Sequence, residues 1–228
     1  MSWIIELYRS PMAKKAVMAV SGIGLFGFVL VHMLGNLKLY QGAEKLNSYA
    51  EGLREIGAPF LGHGEALVIA RIGLIAMVLL HILSAYQLTR INRRARPVSY
   101  AKQTPQASTY ASRTMRWGGV IILLFVIYHL MHLTYGNVHS DFKAGDVYHN
   151  VVIGFQNPLI SAFYIVANIA LAFHLYHGLW SMFQTLGVNG PRFNIMRKRF
   201  ALAFAGLISL ANISFPLAVL SGFVTLGA

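Results

Sequence analysis

Four histidines stand where a histidine is expensive. His32 lies in "VLVHMLGN", His81 in "VLLHILSAY", His129 in "FVIYHLMH" and His174 in "FHLYHGLW", each inside a run of apolar side chains. One imidazole in such a run is often only a hydrogen-bonding contact between helices, worth about 0.6 to 2 kcal/mol. Four of them, one per run, ask for a partner, because an ionisable group inside a membrane usually has one. Imidazoles reaching a metal from two sides describe a bis-histidine haem in a helical bundle. Two such centres at different depths would make an electron path. The chain contains no cysteine, which excludes disulfides, iron–sulfur clusters held by this chain, and haem attached through C-x-x-C-H.

The elements that carry these residues follow from composition. The chain is 56% hydrophobic and 11% charged, yet its net charge is +12. That is the profile of an integral membrane protein with basic loops. The Lys and Arg residues lie between apolar runs rather than along one face, which sets nucleic-acid binding aside. Five apolar segments, approximately 16–37, 66–89, 117–136, 158–185 and 200–224, are long enough to cross a bilayer core of about 30 Å as helices. The first follows "MAKK" but runs too long for a signal peptide and has no small-residue cleavage site, so it reads as an anchor that stays. The expected fold class is all-α: five transmembrane helices in one domain over residues 1–228, the first four forming a haem-binding bundle.

Charge sets the orientation. Of the 19 Lys and Arg residues, 14 fall in one set of connections: Arg9, Lys14 and Lys15, then Arg90, Arg93, Arg94, Arg96, Lys102, Arg113 and Arg116, then Arg192, Arg197, Lys198 and Arg199. Basic residues near segment ends stay in the cytoplasm. The N-terminus is therefore expected inside a bacterial cytoplasmic membrane and the C-terminus outside. The outer connections, 38–65 and 137–157, read as folded caps. Within the first, "AEKLNSYAEGLREIG" has helical spacing with Leu46, Tyr49 and Leu53 on one side and Gly57 as a stop.

Depth can be counted at about 1.5 Å per residue. His32 and His129 fall roughly 8 to 10 Å below the outer boundary, and His81 and His174 roughly 14 to 16 Å above the inner one. Depth alone does not separate His129 from His132, or His174 from His177, because three residues change height by only about 4.5 Å. Gly22, Gly24, Gly27, Gly73, Gly118, Gly119 and Gly178 could leave a face clear for a flat macrocycle, although small residues also serve ordinary helix packing. Arg71, deep in the second segment, needs an anion. A propionate of the outer haem is the expected partner, with Glu65 or a lipid phosphate as the plainer one.

Five stretches in order, "YRSPMAKKAVMAVSGIGLFGFVLVHMLGNL", "NSYAEGLREIG", "ARIGLIAMVLLHILSAYQLTR", "MRWGGVIILLFVIYHLMHLTYG" and "FHLYHGLWSMFQTLG", carry a resemblance over nearly the whole chain. It resembles the single-subunit, five-helix, di-haem cytochrome b anchor of succinate dehydrogenases and fumarate reductases. The resemblance implies two haem b, with His32 and His129 on the outer iron and His81 and His174 on the inner. It implies His132 and His177 as spares, the latter able to meet a propionate, a carbonyl or the fifth helix. It also implies a flavoprotein and an iron–sulfur subunit docked on the basic loops, and electrons passed to membrane quinone, with menaquinone expected, or in reverse. Some members carry an acid two positions before the ligand of the fourth helix for moving protons; here that position is Ala172.

The chain has neither a dinucleotide fingerprint nor a cysteine set, so it is not expected to oxidise succinate alone. For the quinone, Asn36, Lys38, Tyr49, Glu51 and Glu55 cluster in sequence near the outer level, while Ser84, Tyr86 and Gln87 lie toward the inner. A solvated capping loop would look the same. Two other readings stay open: a cytochrome b anchor of another dehydrogenase, such as hydrogenase or formate dehydrogenase, and a haem-free proton-coupled transporter using histidines as relays.

Overall fold

The computed structural model describes residues 10–95, 110–188 and 190–227, with side chains described from residue 114 in the second stretch. Arg9, Arg96 and Lys102, and the side chain of Arg113, lie outside the described residues.

The protein is all-α, and five of its helices are long and apolar enough to cross a membrane. The elements in order are α1 (Pro11–Asn36), a 3-10 turn (Leu37–Gln41), α2 (Ala43–Gly52), α3 (Glu65–Arg94), α4 (Tyr110–His129), a π turn (Leu130–Thr134), α5 (Val147–Gln156), α6 (Pro158–Thr185) and α7 (Pro191–Leu220). The spanning helices are α1, α3, α4, α6 and α7.

Local chemistry explains the starts. Ser10 caps α1, its hydroxyl accepting from the Ala13 amide at 3.1 Å, and Pro11 opens the first turn. Asn157 caps α6 through the amides of Leu159 and Ile160, again ahead of a proline. A short oxygen-bearing side chain satisfies helix-start amides, and proline there gives up only a donor that was unpaired.

Several expected boundaries move: α1 begins at Pro11 rather than 16, α3 runs on to Arg94 rather than 89, and α4 begins at Tyr110 rather than 117. The fifth span starts at Pro191 and ends at Leu220 rather than running 200–224, because the basic residues 192–199 continue the helix beyond its apolar part. The cap helix ends at Gly52, not at Gly57. Leu53 lies beyond it, and Gly57, at φ 94°, belongs to the turns that follow. The i,i+4 pattern outruns the helix because tight turns through residues 53–61 reuse its last carbonyls.

Packing divides the molecule. Helix α3 lies chiefly against α1, α4 chiefly against α6, and α6 closely against α7. Along α3 only Ser84 and Leu88 are buried. A hydrophobic core joins α1, α6 and α7 through Met33, Leu175, Ala201, Ala205 and Ile208. A second, at the cap end, gathers Leu39, Leu46, Val152, Phe155 and Phe215. There Asn47 of α2 donates to Asp146 at 2.9 Å and accepts from the Tyr148 amide, while the Tyr148 hydroxyl donates to the Thr225 carbonyl. These bonds tie α2, α5 and the chain after α7 into one folded cap.

At the opposite, basic end one charge is structural. Arg197 is 2% exposed; its guanidinium donates to the Val188 carbonyl and to Asn194, pinning the α6–α7 connection. It is therefore not part of an open basic face, as the loop composition suggests, because a buried guanidinium must spend its donors on nearby oxygens.

Candidate functional site

The helix pairs α1/α3 and α4/α6 bring the histidines together across the bundle. His32 of α1 faces His129 of α4 with ring centroids 5.9 Å apart. His81 of α3 faces His174 of α6 at 6.2 Å. The chain's own side chains bury none of the four: His32 is exposed and the others are half-buried. Edge-to-face rings occur at such separations. So do two imidazoles on one metal: two bonds of about 2 Å, each extended by roughly 1 Å from nitrogen to ring centre, span about 6 Å. The pairs thus fit a shared metal between them.

At His81 a hydrogen bond fixes a tautomer that suits ligation. Nδ1–H of His81 donates to the Met18 carbonyl at 3.1 Å, with the Ser21 hydroxyl 3.4 Å away. That leaves its Nε2 lone pair free, the arrangement that orients and strengthens a metal-bound imidazole. Nδ1 of His129 lies 3.3 Å from the Tyr164 hydroxyl.

At the second pair and on its basic-end side, Ser84 Oγ, His174 Nδ1, His177 Nδ1 and Trp180 Nε1 are buried with no hydrogen-bond partner among the described residues. Buried polar atoms are normally paired, so these unpaired atoms suit a polar group such as a propionate. The glycines divide. A Cβ on Gly22 would rest 3.5 Å from His81 Cε1, and one on Gly119 would rest 3.8 Å from His174 Cε1. On Gly27, Gly73 or Gly178 it would meet nothing within 4 Å. Gly24 instead lets α1 approach Met77, and Gly118 faces the backbone of α6. The donor set and these clear faces fit a pair of haems.

Arg71 is exposed on α3 and lines a groove of about 490 Å³ with Arg54, His63 and Glu65. No ion pair joins it to Glu65, whose carboxylate accepts from the Gly62 amide. The five residues expected near the quinone separate into two groups. Lys38 lies over the Tyr49 ring at 5.4 Å, and Tyr49 packs on Gly35 beside Asn36. Glu51 and Glu55 instead meet the exposed His63 and Arg54 on the cap surface. Glu51 stands on an exposed face of α2, and the turns after Gly52 carry Glu55 away from Tyr49.

Sequence reasoning passed over Tyr164 and His139. Tyr164 is 4% exposed and lies between His129 and His132. Counting would have found it: six residues from the outer end of α6, it stands roughly 9 Å below the outer boundary, level with His129. His139 stacks on His132 at 4.9 Å.

The family model of the succinate dehydrogenase/fumarate reductase transmembrane subunit matches residues 90–213, more than half of the chain. The chain belongs to that family. The matched stretch contains His129, His132, His174 and His177, whereas His32 and His81 lie before it. Searches of curated proteins and of solved structures find no match. Membership makes the chain a multi-pass subunit that associates with the membrane and with the other subunits of a succinate dehydrogenase or fumarate reductase.

Proposed function

We propose that this chain carries two b haems and passes electrons between the iron–sulfur subunit of its complex and membrane quinone. The observation that supports it is the double pairing of histidines from four spanning helices at 5.9 and 6.2 Å. In this reading His32 and His129 hold the haem nearer the cap, and His81 and His174 the haem nearer the basic end. Bound there, the haems supply one-electron centres at two depths.

The chain's own residues do the rest. Met18 orients His81 through its carbonyl, and Ser84, His177 and Trp180 offer hydrogen bonds to propionate oxygens. Arg71 takes a propionate of the cap-end haem, since a guanidinium two turns inside a membrane helix needs an anion. Asn36, Lys38 and Tyr49 form the group that meets quinone, with Lys38 and Tyr49 able to donate to a carbonyl oxygen. Glu51 and Glu55, paired with Arg54 and His63 at the cap surface, stand nearer the water and can receive protons from that group. The basic end, with Arg90, Arg93, Arg94, Arg192 and Arg199, faces the cytoplasm and docks the flavoprotein and iron–sulfur subunits.

Haem quantitation and redox titration of the purified complex test this. The wild type is expected to hold two haems per chain. His32→Ala, His81→Ala, His129→Ala and His174→Ala each lose one at most, and His132→Ala and His177→Ala keep both. A correctly assembled wild-type complex without pigment refutes the proposal.

A further inference from the structure

A further buried polar group stands beside the first pair. His132 is 0% exposed. Its Nδ1 lies 3.0 Å from the Tyr164 hydroxyl, the same oxygen that stands 3.3 Å from His129 Nδ1. Its Nε2 has no partner among the described residues. Room for the ring comes from Gly154, where a Cβ would lie 2.7 Å from His132 Cε1. A π turn begins directly after His129 and carries His132; such turns recur at functional sites. Tyr164 is held by rings on two sides, Phe125 at 5.0 Å and Phe155 at 4.9 Å.

One hydroxyl has one proton, so two imidazole nitrogens cannot both accept from it. If His129 binds iron through Nε2, its Nδ1 carries hydrogen and donates to the Tyr164 oxygen. Tyr164 must then donate to His132 Nδ1. The direction of the whole chain is set by the ligand.

We propose that Tyr164 and His132 are positioning residues for His129, a hydrogen-bonded relay that fixes its tautomer and ring plane and raises its basicity as an iron ligand. This rests on the haem reading above. The inner pair has a different device: His81 donates to a fixed backbone carbonyl. The two centres are thereby given unlike surroundings, and a more basic axial ligand favours ferric iron and lowers the potential.

The test uses the intact complex and variants Tyr164→Phe, His132→Leu and His132→Asn, read by haem content, redox titration and the EPR signal of the oxidised haems, which responds to the angle between ligand planes. The cap-end haem is the one lost in His129→Ala. Tyr164→Phe keeps both haems and shifts the ferric–ferrous balance of that haem toward ferrous by up to tenfold, an upward shift of up to about 59 mV, with its EPR line displaced and the other haem unchanged. His132→Leu, which leaves the tyrosine packing in place, moves the same haem in the same direction. The double variant adds little to Tyr164→Phe, as expected of two groups in one chain. His132→Asn, whose side-chain oxygen can replace Nδ1 as acceptor, restores the wild-type value. Unchanged signals in both single variants, or a shift confined to the other haem, overturn the relay while leaving the haem reading intact. Absence of haem from the wild type overturns both.

Discussion

Replacing Gly154 with alanine puts a single methyl group against two stacked imidazoles. The new Cβ would lie 2.7 Å from His132 Cε1, 2.9 Å from its Nε2 and 3.2 Å from His139 Nε2. Carbon atoms rest at about 3.5–4.0 Å, so His132 must retreat by roughly 0.8 Å or more. It has nowhere to go: it is fully buried, stacked on His139 and bonded to Tyr164. Overpacking costs about 1–3 kcal/mol, and stretching a 3.0 Å hydrogen bond out of range removes about 0.5–1.5 kcal/mol more. Alanine returns about 1 kcal/mol in a helix, leaving a net loss of about 0.5–3.5 kcal/mol. Gly24→Ala is the control. It receives the same propensity gain and its Cβ also meets a neighbour closely, but that neighbour is the flexible thioether of Met77, which can rotate away. Thermal unfolding in detergent, followed by circular dichroism, should show Gly154→Ala melting several degrees below wild type and Gly24→Ala at or above it. Equal stability of Gly154→Ala and wild type, or Gly24→Ala as the weaker protein, refutes the reasoning.

Two further outcomes concern the cap. Asp146 accepts from the His149 amide and from Asn47 Nδ2, and these bonds hold its carboxyl below the usual carboxylate range. A depressed value in the folded state means that the stabilisation is complete above the unfolded value and is lost as pH falls through the folded one. Asp146→Ala is expected to cost about 0.5–2 kcal/mol at neutral pH and to speed hydrogen exchange of amides 147–156. The difference from wild type should shrink below about pH 4. Asn157→Ala removes the cap of α6 and should cost a similar 0.5–2 kcal/mol, about, whereas Asn157→Asp keeps the acceptor and should melt near wild type.

Much was legible in the chain itself. Apolar length gave five spans, and the fourth, 158–185, coincides with α6, because proline after asparagine marks its start. Residue counting put His32 level with His129 and His81 level with His174. Helices crossing one slab convert sequence position into height, so neighbours in depth can be named before any contact is known. Residues outside the spans lost that ruler. Glu51 and Glu55 read as companions of Tyr49, yet Glu51 stands on an exposed face of α2 and the turns after Gly52 bring Glu55 beside it, both meeting His63 at the surface.

The amino-acid sequence by itself determined the membrane class, the all-α architecture, and the heights at which imidazoles stand, since hydropathy and helical rise are local properties. Only the tertiary structure decided which polar groups meet sideways. Tyr164 reaching His132, Gly154 opening a place for that ring, and Arg197 folding back on Val188 each depend on how elements rotate and pack. Rotation about a helix axis in an apolar medium leaves little trace in hydropathy: every face of α6 is greasy, and packing alone selects the one that carries Tyr164.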